Sequence, residues 1–169
     1  MSTPVLEHRT EFPAADGYKL AATVFEPSGP FRAVVLIAAA TAVPRGYYSR
    51  FARYLAEQGF KAVTFDYRGI GGSKPKEGLR GVPAKMHDWA ALDLTAAGDY
   101  AEGLAGGKPL LYVGHSFGGQ ALGQLPNNHK VSRALFAASQ IGYWKLFPAP
   151  EKYRVWLSLR VLGPLAYTI

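Results

Sequence analysis

A serine with glycines two residues to either side, in Gly114-His115-Ser116-Phe117-Gly118, has the spacing needed for covalent acyl transfer. Where a strand turns sharply into a helix, the serine backbone is forced into a strained conformation that lifts its hydroxyl clear. Bulky side chains two positions away would then strike the neighbouring strand and helix. Gly114, Gly118 and the following Gly119 meet that steric demand. The first turn of the helix also leaves backbone N–H groups without partners, and these together with the helix dipole favour a developing oxyanion. The amide of Phe117 is the first donor such a hole would use.

A hydroxyl is a poor nucleophile at neutral pH and needs a base within hydrogen-bond reach, itself oriented by a third group. The histidines are His8, His87, His115 and His129. His115 occupies the variable position of the pentapeptide, where its ring is expected to pack rather than to face the Ser116 hydroxyl. His129 falls between a helix and the next strand, at the end of the sheet opposite Ser116, and His8 and His87 have no geometric claim on the site. Two phosphate-binding readings fail on their ligands. Gly114 and Gly119 match the glycines of G-x-x-x-x-G-K-[ST], but Gln120 and Ala121 stand where Lys and Ser or Thr are required. Gly69 and Gly71 are followed by Lys74 where a dinucleotide fingerprint needs its third glycine.

The elements that would position Ser116 follow from hydrophobic period. Arg9 to Phe25 reads as two strands at a sheet edge, joined by a turn at Ala15-Asp16-Gly17. Phe31 to Ala40, Phe60 to Asp66 and Pro109 to Gly114 are apolar runs of the kind buried on both faces of a parallel sheet, and Val131 to Ala138 reads as one more strand. Between them, Tyr48, Phe51, Ala52 and Leu55 repeat at helical spacing up to Gly59. Trp89, Leu92, Ala96 and Tyr100 do the same before Gly106 and Gly107, and a third helix runs from Ser116 to before Pro126. Strands alternating with helices predict an α/β protein with a mostly parallel sheet and helices on both faces.

Composition narrows the class. At 169 residues, about half of them apolar, the chain is one domain by length and can bury a sizeable core. It has no cysteine, which excludes thiolate chemistry and disulfides and fits a reducing compartment. The charged N-terminus does not read as a leader segment. The longest apolar run, Ala33 to Val43, is well short of the roughly 20 residues of a membrane span, so a soluble, cytoplasmic protein is expected. The net charge of +7 is scattered, and its densest stretch, Lys74 to Lys85, is broken by Pro75, Gly78, Gly81 and Pro83. A solvated loop is expected there rather than a nucleic-acid surface.

Together with the serine pentapeptide, the helix-strand segment and the loop that follows it resemble the α/β-hydrolase superfamily. Tyr54 to Ser73 (YLAEQGFKAVTFDYRGIGGS) is similar to that family's helix, strand and D-x-R-G-x-G-x-S loop, here Asp66, Arg68, Gly69, Gly71 and Ser73. The resemblance covers nearly the whole chain and is nearest to predicted hydrolases and lysophospholipase-like esterases. It implies attack by Ser116 on an ester or related acyl bond of a small-molecule substrate, with no metal or organic cofactor. The second amide of the oxyanion hole would lie in Ala38 to Pro44 (AAATAVP), at Ala40 or else Thr41, where many relatives carry His-Gly. Asp66 would be structural rather than a triad member, with Arg68 its partner.

In this fold the triad runs serine, acid, histidine along the chain. After Ser116 the sequence offers only His129 and, as the downstream carboxylate, Glu151. The resemblance therefore implies that residues 1–139 are the N-terminal part of a hydrolase core, cut before the last strands, and that residues 140–169 begin a lid. That segment carries Tyr143, Trp144, Phe147, Tyr153, Trp156, Leu157 and Val161, suited to covering an apolar acyl pocket. The expectation is a carboxylesterase-like or lipase-like serine hydrolase whose triad acid and base are missing from this chain. The alternative is a noncatalytic, truncated hydrolase fold that binds an apolar ligand or a partner. Its uncovered sheet edge would invite a homo-oligomer.

Overall fold

A computed structural model describes residues 4–78, 84–140 and 143–162. Gly81 and Pro83 of the basic stretch, and the terminal run from Gly163, lie outside them. The chain divides into two compact units, Met1–Ser139 and Gln140–Ile169.

The first unit is an α/β layer structure on a six-stranded sheet ordered β1-β2-β4-β3-β5-β6. Its opening hairpin joins β1 (Val5–Pro13) to β2 (Lys19–Pro27) in antiparallel register. At the turn, Asp16 Oδ1 accepts the Tyr18 N–H and Gly17 takes the left-handed conformation at φ 83°. The two strands do not share an edge position, however. β1 is the edge, whereas β2 pairs on its other side with β4 (Lys61–Phe65) from Ala22↔Phe65 to Phe25↔Ala62. The run Leu20 to Phe25, apolar except for Thr23 and buried on both faces, is the sequence trace of that interior place.

β3 (Val34–Ala38) is buried at every position, pairs in parallel with β4 and with β5 (Leu110–His115), and β5 pairs in parallel with β6 (Val131–Ala137). Each fully buried Val, Leu or Ile of these strands contributes about 1.5–3 kcal/mol. The side chains of β6 are mostly exposed, Leu135 and Phe136 among them.

The helices lie as their periods predict, but the residues nearest the sheet are smaller than the bulky ones that mark the period. α1 (Ser49–Glu57) buries Ala52 and Ala56, while Phe51 is exposed. The second helical run comprises α2 (Met86–Asp88), a π turn (Trp89–Leu94) and α3 (Thr95–Gly103). It buries Ala90, Leu94, Ala97, Gly98 and Ala101, and leaves Trp89, Leu92, Ala96 and Tyr100 half-buried at the flanks. Alanine and glycine let a helix backbone approach the sheet closely, and larger side chains then fill the margins. α4 (Phe117–Ala121) follows β5 directly and continues as a 3-10 turn to Gln124.

The second unit contains a 3-10 turn (Trp144–Leu146), α5 (Glu151–Leu157) and a π turn (Ser158–Leu162). It exposes Tyr143, Leu146, Tyr153, Trp156, Leu157 and Val161. Among the described residues no helix is long and apolar enough to cross a membrane.

Candidate active site

Ser116 is the single residue between β5 and α4, with φ 50° and ψ −112°. A residue with a Cβ is rarely found there, at a cost of about 1–3 kcal/mol. Three backbone hydrogen bonds over-determine the conformation. The Ser116 N–H donates to the carbonyl of Ala137 at the end of β6 (2.9 Å), and the Ser116 carbonyl accepts from Gly119 (3.0 Å) and Gln120 (3.2 Å).

The glycines around it are demanded by contact. A Cβ on Gly114 would sit 2.6 Å from the Gly119 Cα, one on Gly118 would run into the carbonyl of Ala38, and one on Gly119 would meet Ser139. The Tyr112 hydroxyl donates to the Gly118 carbonyl from within the core, and burial pushes that phenol far above its ordinary pKa, so it stays a neutral donor. Ser139 donates to the Gly114 carbonyl at 3.2 Å.

The approach of Gly118 to Ala38, and the pairing of Ala38 with Gly114, put the loop that leaves β3 beside the turn at Ser116. In that loop the Ala40 carbonyl accepts the Val43 N–H at 3.2 Å, and Ala42 is left-handed at φ 59°. The Ala40 N–H donates to the Tyr48 hydroxyl oxygen at 2.9 Å. Among the described residues the N–H groups of Thr41 and Phe117 find no acceptor.

Tyr48, read from the sequence as a core-facing helix residue, is a polar junction of the site. Its oxygen lies 2.8 Å from His115 Nδ1, with the rings edge to face at 5.9 Å. That oxygen accepts from Ala40 and makes a hydrogen bond with His115 Nδ1, so it joins the loop after β3 to the residue before Ser116. Burial raises the Tyr48 pKa, so the phenol keeps its hydrogen. The signal in the sequence was the residue type, since a buried tyrosine brings a hydroxyl that must find partners.

Below the loop, Asp66 is 1% exposed. It accepts the Arg45 N–H (2.6 Å) and the Gly72 N–H (2.8 Å) and pairs with the Arg45 guanidinium. Arg68 is therefore not its partner, as the resemblance had implied. Arg68 bonds Asp93 through its backbone N–H and Nε (2.8 Å each) and Asp16 through Nη1 (2.7 Å), with the guanidinium over the Tyr18 ring. The loop amides and Arg45 saturate Asp66, leaving Arg68 to neutralise Asp93, which is wholly buried. Burial works against the Arg68 charge, yet its bonds to Asp93 and Asp16 hold its pKa above the ordinary value.

The remaining candidates lie apart from Ser116. His129 is exposed in the turn Asn128–Lys130 that leads into β6, at the strand ends opposite Ser116. His8 is exposed on β1, His87 is exposed in α2, and Glu151 opens α5 in the second unit. Among the described residues no imidazole or carboxylate hydrogen-bonds to the Ser116 hydroxyl.

A family model described as serine aminopeptidase, S33 (Hydrolase_4) matches residues 29–168. No curated protein matches the chain. Among solved structures it is similar to a cold-adapted esterase from an Arctic intertidal metagenomic library, with 22% identity, TM-score 0.60, and coverage of 80% of this chain and 65% of that one. It is also similar to a soluble variant of monoglyceride lipase from Saccharomyces cerevisiae, in complex with a substrate analogue (23%, TM-score 0.64, 80% and 45%). A third likeness is to a hypothetical protein of Pseudomonas aeruginosa (22%, TM-score 0.64, 97% and 53%). The chain spans under two thirds of the length of each of these structures, and at these identities the likeness is one of fold.

Proposed function

Because the chain belongs to the Hydrolase_4 family of α/β hydrolases, we propose that it carries the nucleophile and oxyanion hole of a serine hydrolase acting on carboxylic esters or related acyl bonds. The observation that carries the reading is Ser116 itself, held at φ 50° and ψ −112° between β5 and α4 beside unpaired amides. The hydroxyl oxygen forms a bond to the substrate acyl carbon, and the carbonyl oxygen takes up the negative charge. The N–H of Phe117 is one donor to that charge. Thr41 is the better second donor, since the Ala40 N–H is already given to Tyr48. Through a general base, the proton lost by the serine hydroxyl passes to the leaving alcohol as collapse of the tetrahedral intermediate breaks its bond, and water then releases the acid from the acyl-serine and returns a proton to the serine oxygen. The general base and its orienting acid are the parts that the described residues do not supply, so the proposal rests on nucleophile and hole. The esterase and the lipase among the structures of similar fold favour an apolar acyl group.

The test is labelling by a fluorophosphonate, with the protein at its natural length. Labelling abolished in Ser116→Ala supports the reading. A folded protein that takes up no label favours instead a noncatalytic relative that binds an apolar ligand or a partner.

A further inference from the structure

We infer that Tyr48 is a positioning residue that sets the gap between the two oxyanion donors, an inference that rests on the reading of Ser116 as nucleophile. The donors belong to different segments: Thr41 to the loop after β3, Phe117 to the start of α4. One phenol joins the two segments. Its oxygen accepts the N–H of Ala40, the residue before Thr41, and lies in hydrogen-bond contact with His115 Nδ1, the residue before Ser116. Tyr48 is only 8% exposed, so water offers these bonds little competition.

At its far end the loop is held through Arg45, whose N–H and guanidinium bind Asp66 and whose Nε donates to Thr23. Between Ala40 and Pro44, among the described residues, the backbone makes only the hydrogen bond of its own turn, Val43 rests against the core, and Thr41 and the left-handed Ala42 are exposed. Removing the phenol hydroxyl strips the buried Ala40 N–H of its acceptor and releases the segment that carries Thr41. An amide displaced by about 1 Å from the place the oxyanion will occupy loses much of its value in the transition state and little in the ground state, where no full charge has formed. The consequence is carried by kcat rather than by KM.

The bridge also gives His115 a role. Its Nδ1 is the hydrogen-bond partner of the phenol, so a side chain with a polar atom near that position should serve, whereas one of similar size without a polar atom should not.

The experiment uses the protein at its natural length with p-nitrophenyl butyrate as the probe substrate. Tyr48→Phe should lower kcat about tenfold, with KM changed by less than about twofold. His115→Phe should do the same, and His115→Asn should restore most of the rate. Amide hydrogen exchange at Ala40 should quicken by about tenfold or more in Tyr48→Phe. Wild-type kcat in Tyr48→Phe, a loss confined to KM, or unchanged protection at Ala40 would overturn the inference. If Ser116 takes up no fluorophosphonate in the wild type, the proposed function falls and the catalytic part of the inference with it. The exchange at Ala40 then decides separately whether Tyr48 anchors the loop.

Discussion

The backbone N–H of Ser116 donates to the carbonyl of Ala137 across 2.9 Å, so the strained residue at the end of β5 is held from the end of β6. The strain is carried by the Cβ, because glycine alone enters this region of backbone space freely. Ser116→Gly should therefore be more stable than Ser116→Ala by about 1 kcal/mol, the relief of strain outweighing the greater freedom of glycine in the unfolded chain. Urea denaturation of the two variants reads the difference, and an Ala variant equal to or more stable than the Gly variant would contradict it.

Gly118 tests the packing of the same turn. Its hypothetical Cβ meets the Ala38 carbonyl, a backbone atom locked in the centre of the sheet, and neither side can give way cheaply. Gly118→Ala should cost about 1–3 kcal/mol and should slow labelling of Ser116. Gly103→Ala, on α3 with open space around it, is the control expected to be stabilised or unchanged.

Asp66 ties the loop after β3 to the loop after β4. Asp66→Asn keeps the shape but puts an amide opposite the Arg45 guanidinium and the Gly72 N–H. A loss of about 2–4 kcal/mol is expected, seen as a lower urea midpoint. A change under about 0.5 kcal/mol would show that the pair adds nothing beyond surface ion-pair strength.

The Arg68 cluster predicts the sign of an acid effect. The hydrogen bond from Arg68 holds the Asp16 carboxyl below its ordinary value, so Asp16 stabilises the fold above the ordinary carboxylate range, and that contribution is lost as pH falls through its lowered pKa. Asp93, on the same guanidinium, is pushed up by burial despite its bonds to Arg68, and its own ionisation acts with the opposite sign. The stability gap between wild type and Asp16→Asn should thus be wider near pH 7 than near pH 3. Denaturation curves at both pH values would refute this by showing a gap that is constant or widens in acid.

Most of the frame was legible because it is written in short windows. Apolar runs marked β3, β4 and β5, and Asp16-Gly17 marked the hairpin turn. Gly114, Ser116 and Gly118 marked the bend before α4. The position of β2 was missed because its edge or interior place depends on a partner, β4, that follows β3 in the chain. Ala52 was read on its helix face, but Ala56, Ala97 and Ala101, equally inaccessible to solvent, were not, because their small size weighs little in a hydrophobic period.

By itself the sequence determined the order of strands and helices and the place where a serine could stand on a strained turn, because local sterics and hydrophobic period need only neighbouring residues. Only the tertiary structure decided which polar groups meet. Asp66 with Arg45, Arg68 with Asp93 and Tyr48 with His115 are separated by 21, 25 and 67 residues. Nothing in a local window distinguishes one buried carboxylate, guanidinium or phenol from another as a partner. The choice is made when the sheet assembles and each buried polar group must find whichever acceptor or donor the packing has brought within reach.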